Sequence, residues 1–364
     1  MLMTEIIVVC VVCVAMLLIS SSFLHIGTHS FRIDRFKHGI GLLLLMASVV
    51  LGIADAPPTS GPTDVDDRSK PAPIVATLQQ KFEMDFDAYG QPSWPVAIEL
   101  ATCSSNAYLA PVFAEQELRK RGFTDVWTLN FGSSLGYVVM IGDTAVVMFR
   151  GTNPPEIQDW LVNLNNKSFK SKHGGIHAGF WASYETLHDQ LIEVLRLKNP
   201  RRIWVTGHSL GGALAVVCSY RLMTDEGKEV AGVMTFGQPR VGSPEFCKHM
   251  DLELRGRMVH FVNENDLVPR IPPSFEHFGS LVWYTGGVIR RSRPPNLMMS
   301  SGDDSKNGNE FVELPALSQQ EFDKAKRNLN EQPKVHSPDG ELLMQGSSRY
   351  IDDHDIELYI ESLR

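Results

Sequence analysis

Residues 203–213 read IWVTGHSLGGA. Ile203 to Thr206 are β-branched or aromatic, which suits a pleated, buried strand. The run that follows, LGGALAVVCSYRLMTD, is apolar on nearly every face and predicts a buried helix. A buried strand feeding a buried helix calls for a sheet covered by helices. Between them stands Gly207-His208-Ser209-Leu210-Gly211, a G-x-S-x-G. In this setting it has the form of a nucleophile elbow, a strained turn that presents a serine Oγ at the top of a sheet. A side chain at either glycine would collide with the adjoining strand or helix. The helix aims its first amides and positive dipole end at whatever reacts with Ser209. The N–H of Leu210 is then one donor to a developing oxyanion. The plainer alternative makes Ser209 the cap of a glycine-rich helix start.

The rest of the domain repeats the alternation. WPVAIELATCSSNAYLA predicts a helix opening at Pro95. DVWTLN, GYVVMIG and TAVVMFR predict strands, the last two joined by a hairpin turn at Gly142-Asp143. HAGFWASYETLHDQLIEVLRLKN spaces its apolar residues by three and four, as a long amphipathic helix does, and ends at Asn199-Pro200. VAGVMTFG and MVHFVN predict further strands, and LVWYTG a last one. The expected fold is α/β, with a largely parallel sheet covered on both faces.

The start of the chain is different. Two apolar runs, Ile6 to Ile26 and Gly39 to Ala54, flank a segment carrying Arg32, Arg35 and Lys37. Either residues 1–54 form a membrane hairpin with its basic loop inside, or residues 30–56 act as a signal ending at Ala54-Asp55-Ala56. The positive-inside rule places the rest of the chain on the non-cytoplasmic side in both cases. Cys10 and Cys13 sit among valines and read as small apolar residues rather than a metal or redox pair. The other three cysteines are too dispersed for a disulfide framework. Residues 55–75 hold five prolines and predict an extended linker. The globular domain then spans 76–364. A net charge of −8 without a long basic block argues against nucleic acid as a partner. Oligomeric state is not legible.

A nucleophilic serine needs a base and an orienting acid. In sheets of this kind the chain order is serine, acid, histidine. MVHFVN ends at NENDLVPRIPP, which puts Glu264 and Asp266 at the carboxyl end of a strand, where open α/β sheets place their sites. Asp266 is preferred because a Leu-Val-Pro turn follows it; Glu264 is the alternative. The later histidines are His277, His336 and His354. His336 lies in a polar loop. His277 precedes a strand and reads as a packed, hydrogen-bonded residue. His354 stands at the opening of the last amphipathic helix, with Asp352 or Asp353 as cap, and is the preferred base.

These motifs together resemble the class 3 lipases, α/β-hydrolases typified by fungal triacylglycerol lipases. The resemblance runs in order through VVMFRGT, DWLVNL, IHAGFWASY, VTGHSLGGALA, TFGQPRVGSPEF, HFVNENDLVPRIPP, FEHFGSLVWY and the late DDH. It implies Ser209 as nucleophile, Asp266 as acid, His354 as base and Thr152 as the second oxyanion residue. It also implies a lid bearing Trp160 and Leu161; an ordinary packed helix is the alternative there. An insertion at 288–350 departs from the family pattern. Within it, Ser318-Gln319-Gln320-Glu321 has the form of a capping box opening a helix to about Leu329.

The implied activity is hydrolysis of lipid esters at a membrane or lipid interface through an acyl-enzyme. A phospholipase A1 or an acyltransferase would use the same residues, and Arg290, Arg291 and Arg293 hint at phosphate recognition. A rival of another class is a non-catalytic lipid- or partner-binding protein on this fold. No metal or cofactor motif is present, and none is expected.

Overall fold

The computed structural model describes residues 73–83, 86, 93–292, 312–331, 335–336, 342–343 and 349–364. The apolar runs, the basic segment between them, Cys10, Cys13 and most of the proline-rich linker lie outside these residues, as does Arg293. Among the described residues no helix is long and apolar enough to cross a membrane.

Eight strands form one sheet in the order β1-β2-β3-β6-β7-β8-β9-β10. They are β1 (Asp125–Phe131), β2 (Ser134–Ile141), β3 (Thr144–Phe149), β6 (Arg202–His208), β7 (Gly232–Phe236), β8 (Met258–Asn263), β9 (Ser280–Thr285) and β10 (Val288–Arg291). A separate hairpin pairs β4 (Ser168–Ser171) with β5 (Gly174–His177). The run from β3 through β9 is parallel. β1 and β2 extend it antiparallel through tight turns, one of them the expected Gly142-Asp143. This is the α/β-hydrolase arrangement. The strand at LVWYTG is not the last: Gly286-Gly287 turns the chain back and β10 pairs antiparallel with β9, Val288 opposite Thr285. Two glycines with positive φ make the tight hairpin possible. The sheet therefore takes in the first residues assigned to the insertion.

The side chains of β2 and β3 explain the layering. Val138, Met140, Ala145, Val147 and Phe149 point to one face; Tyr137, Val139, Ile141, Val146 and Met148 point to the other. Both sets are buried, as a period of two demands in a sheet covered on both sides. One face is covered by α5 (Ala178–Lys198), α6 (Leu210–Thr224) and α7 (Pro244–Leu254). The other is covered by α1 (Pro73–Glu83), α2 (Trp94–Asn106), α3 (Pro111–Lys120) and the final helix, α10 (Ile356–Leu363). Helix α1 begins three residues inside the segment read as linker. Cys103, Cys218 and Cys247 are free and buried.

The insertion packs onto the first of these faces. Ser318 and Glu321 form the expected capping box, the Glu321 amide donating to Ser318 Oγ at 3.2 Å and the Ser318 amide to Glu321 Oε2 at 2.8 Å. It opens α8 (Gln319–Glu331), whose Phe322 and Leu329 join the core beside Leu161 and Leu164 of α4 (Ile157–Asn163). Lys326 Nζ donates to the Leu164 carbonyl at 2.7 Å, and Gln158 Nε2 donates to the Leu329 carbonyl.

Candidate active site

β6 runs straight into α6, and Ser209 is the one residue between them. Its φ of 58° and ψ of −132° lie where only glycine is at ease. The surrounding space explains the glycines. A Cβ on Gly207 would stand 2.3 Å from the Gly211 backbone, and one on Gly211 would stand 2.1 Å from the Phe149 carbonyl oxygen. Strand, helix and β3 therefore meet at backbone contact. Ser209 itself is 1% exposed, and its Oγ has no hydrogen-bond partner.

Asp266 and His354, the expected acid and base, are brought together. Asp266 Oδ2 accepts from His354 Nδ1 at 2.7 Å, with both residues buried. Asp266 Oδ1 accepts from the Val268 amide at 2.8 Å, so the Leu-Val-Pro turn orients the carboxylate. With its hydrogen on Nδ1, the imidazole presents a bare Nε2, which is buried and unpartnered. Ser209 Oγ and His354 Nε2 do not bond each other here; such bonds commonly tighten only when substrate is bound. Glu264 turns away, its carboxylate accepting from the Gly286 amide at 3.1 Å.

His354 sits on a turn between α9 (Arg349–Asp352) and α10. The cap of α10 is Asp355, which accepts from the Glu357 amide at 2.9 Å, not Asp352 or Asp353. Asp353 instead accepts from the Asn265 amide at 3.0 Å, tying the turn to the acid loop. The shift has a simple cause: 352, 353 and 355 are all aspartates, and only one is placed to reach the amide of the helix's second residue.

Thr152 follows β3 and carries a buried, unpartnered Oγ1. Leu210 opens α6, so its N–H has no acceptor within the helix. Both line a cavity of about 500 Å³ whose other walls include Arg150, Trp160, Phe180 and Leu214. Trp160 stacks on Phe180 with ring centroids 6.4 Å apart. Leu161 is 1% exposed and belongs to the core. Helix α4 thus lines the cavity through Asp159, Trp160 and Asn163 and packs against α8. Arg290 and Arg291 are elsewhere: they lie on β10, with the Arg291 guanidinium 5.8 Å from the Trp94 ring centroid, and neither lines the cavity.

His277 is a half-buried, hydrogen-bonded histidine. Its Nε2 lies 2.7 Å from the Pro269 carbonyl, and its Nδ1 accepts from Gln238 at 3.3 Å. The side chain of His336 falls outside the described residues. Among the described residues no group of three or more His, Cys, Asp or Glu could hold a metal ion.

Three residues near Ser209, Asp266 and His354 were not visible in the motifs. Tyr359 Oη donates to Asp266 Oδ2 at 2.5 Å. Tyr108 Oη lies 2.8 Å from His208 Nδ1, and His208 Nε2 lies 2.7 Å from the His354 carbonyl oxygen. The only sequence signal is the histidine inside the elbow itself. Tyr359 falls within α10 and Tyr108 in the turn just after α2, and both read as packing residues.

Residues 146–276 match the family model described as Lipase (class 3). The span holds Thr152, Ser209 and Asp266; His354 lies beyond it. A lipase of Rhizomucor miehei is 32% identical over 155 residues, which cover 39% of this chain and 42% of that protein. A secreted mono- and diacylglycerol lipase of Malassezia restricta is 33% identical over 115 residues, covering 30% of this chain and 38% of that protein. The chain thus spans about two fifths of the length of these relatives. A solved structure of the Rhizomucor miehei triacylglyceride lipase superposes with a TM-score of 0.47 at 24% identity, covering 59% of this chain and 89% of that one. Over residues 146–276, and in the order of its motifs, the chain is similar to the class 3 lipases.

Proposed function

We propose that the protein is a serine carboxylester hydrolase that cleaves lipid esters in the manner of a triacylglycerol lipase. The observation that carries this reading is the buried 2.7 Å bond from His354 Nδ1 to Asp266 Oδ2 beside a serine on a strained elbow. Asp266 holds the imidazole in the tautomer that leaves Nε2 free to act as base. Ser209 Oγ attacks the ester carbonyl while His354 Nε2 takes its proton. The Leu210 N–H and Thr152 stabilise the oxyanion; loss of such a donor costs roughly 3–4 kcal/mol. His354 then gives its proton to the leaving alcohol. Water, activated by the same histidine, releases the acid.

The substrate class is read from two supports. The cavity has apolar walls at Trp160, Phe180 and Leu214 next to the oxyanion residues, which suits an acyl chain. The relatives named above are lipases, one of them described as a mono- and diacylglycerol lipase. Helix α4, with Trp160 and Leu161, is the segment we assign as the lid. Hydrolysis of p-nitrophenyl esters from C4 to C16 by the full chain, beside Ser209→Ala and His354→Ala, tests the reading. Both variants should lose activity by on the order of 10⁵–10⁶. A wild type inert on every ester and unlabelled by a fluorophosphonate would support a binding protein instead.

We place the catalytic domain on the non-cytoplasmic side, either retained by residues 1–54 or secreted. The basic segment between the two apolar runs supports the orientation. Alkaline extraction of membranes and N-terminal sequencing of the mature protein separate the two cases. A cytosolic pool with an intact first residue would exclude both.

A further inference from the structure

The ring of His208 lies between two partners that settle its protonation. Its Nε2 is 2.7 Å from the backbone oxygen of His354, which can only accept, so Nε2 carries the hydrogen. Burial holds His208 well below the usual histidine range, and the His354 ring acts in the same direction. The ring is neutral, its Nδ1 is bare, and the Tyr108 hydroxyl at 2.8 Å donates to it. The donors therefore run one way, from Tyr108 to His208 to the His354 carbonyl. The near end of this relay rests on the oxyanion strand: a Cβ on Gly151 would stand 2.2 Å from Tyr108 Oη and 3.0 Å from Ser209 Cβ. The relay thus touches the neighbour of Thr152, adjoins Ser209 and ends on the base.

We propose that Tyr108 and His208 are positioning residues for His354: their relay fixes the backbone of the base against the nucleophile's strand and stops His208 from competing for its proton. The inference rests on the Ser209–Asp266–His354 reading. The turn that carries His354 is held to the acid's strand by Asn263, whose Nδ2 donates to the Asp353 carbonyl at 3.0 Å, and by the Asn265 amide. These bonds reference the base to Asp266 but not to Ser209. The bond from His208 supplies that second reference, from the residue next to the nucleophile. Placement matters because an error of about 1 Å at a reacting group can cost roughly a hundredfold in rate.

The second half of the proposal follows from proximity. The His208 and His354 rings are 4.5 Å apart, centroid to centroid. A bare imidazole nitrogen that close to the base would be a second site for the proton taken from Ser209. The Tyr108 hydroxyl occupies it. Burial without these bonds would only stabilise the fold; the relay makes a separate demand on the tautomer of His208.

The test uses the full chain with Tyr108→Phe, His208→Leu and His208→Gln, the last keeping a donor for the His354 carbonyl. We expect His208→Leu to lose about a hundredfold in kcat, and His208→Gln to recover most of it at an equal melting temperature. Tyr108→Phe should lower kcat about tenfold with KM unchanged, and should move the acid limb of the pH–kcat profile. Nitrogen-15 spectra of labelled histidine should show His208 as the Nε2–H tautomer, without titration, from pH 5 to 8. They should show a mixture in Tyr108→Phe. Equal losses in the Leu and Gln variants, or an unmoved acid limb, would reduce these residues to packing. If His208→Leu does not fold, the tautomer decides: an Nδ1–H or titrating His208 in the wild type overturns the relay. An unlabelled wild type in the fluorophosphonate assay would sink the hydrolase reading and this proposal together. A labelled wild type with unmoved variants sinks the proposal alone.

Discussion

Tyr359 and Asp266 share a hydrogen bond of 2.5 Å on the same carboxylate oxygen that receives His354. Burial and the adjacent carboxylate both push the Tyr359 phenol well above its usual range, so it remains a donor at every working pH. It steadies the acid in the direction that keeps the imidazole aligned. Tyr359→Phe preserves the ring in its apolar setting near Phe236 and removes only the donor. Hydrogen bonds to charged groups contribute about 1.5–3 kcal/mol. The variant should lose about tenfold or more in kcat with little change in KM, measured on a soluble short-chain ester. A full-rate variant would leave Tyr359 as a packing residue.

Thr152 offers a cleaner test of the proposed oxyanion site. Its Oγ1 is buried without a partner, which is costly unless something arrives to use it. Thr152→Val keeps the shape and removes the hydroxyl. Activity should fall by about 10²–10³ in kcat, while Thr152→Ser should stay within a few-fold of the wild type. Steady-state kinetics on one ester distinguishes these outcomes from a Val variant that works normally.

Gly237 packs against His354 and Asp266. Its φ is +58°, and a Cβ there would stand 2.9 Å from the His354 ring and 3.0 Å from Asp266 Oδ2. Gly237→Ala should therefore abolish most activity by displacing the imidazole, with a modest loss of melting temperature. Fluorophosphonate labelling of Ser209 should slow in parallel. Unchanged labelling would mean that the base tolerates the shift.

Histidines held neutral inside the fold set the acid limit of stability. Burial, with Arg240 adding, pushes His260 down to about 3. Burial first, then His260 and Arg240, holds His277 well below its usual range, and His208 is lowered as well. An unfolded histidine titrates near 6.5. Below that pH the unfolded chain binds protons that the folded chain refuses. The stability is complete above about pH 6.5 and is lost as pH falls toward 3, by about 1.4 kcal/mol per unit for each histidine. Melting temperature should drop steeply between pH 6.5 and 4.5. His277→Gln should flatten the slope, and an equally steep variant would place the titration elsewhere.

The clamp of α8 on α4 bears on the lid assignment. Phe322 and Leu329 bury against the helix that walls the cavity, and Lys326 and Gln158 bridge the two. Lys326→Ala with Gln158→Ala should loosen α4 and raise the rate on soluble esters relative to emulsified ones. If the ratio is unmoved, α4 is a fixed wall.

How much of this was legible in the sequence depends on how far each signal reaches. The elbow carries its whole signature within eleven residues: strand, small residues, serine, buried helix. Asp266 is marked by the end of a strand, and the α8 cap by Ser318 and Glu321. Tyr108 and Tyr359 act on partners far away in the chain, and nothing local distinguishes them from core aromatics. The helices at Pro111–Lys120 and Pro244–Leu254 had local signals that went unassigned, a proline at the first position of each and Ser243 as a cap. β10 carries no such mark: Val288–Arg291 is four residues long, mostly exposed, and has no apolar alternation to set it apart from a loop. The cap of α10 lies two or three residues beyond the expected aspartates, because neighbours of the same type carry no signal to separate them.

The backbone of Ser209 has one more implication. At φ 58° and ψ −132° a serine costs roughly 1–3 kcal/mol, and glycine would relieve that strain at an entropic cost below about 1 kcal/mol. Ser209→Gly should therefore melt higher than the wild type. Selection for stability alone would replace this residue, so a serine at position 209 persists only where its hydroxyl is used. Any descendant of the chain that gave up the chemistry would be free to drift toward glycine at this position, and would gain a sturdier fold by doing so.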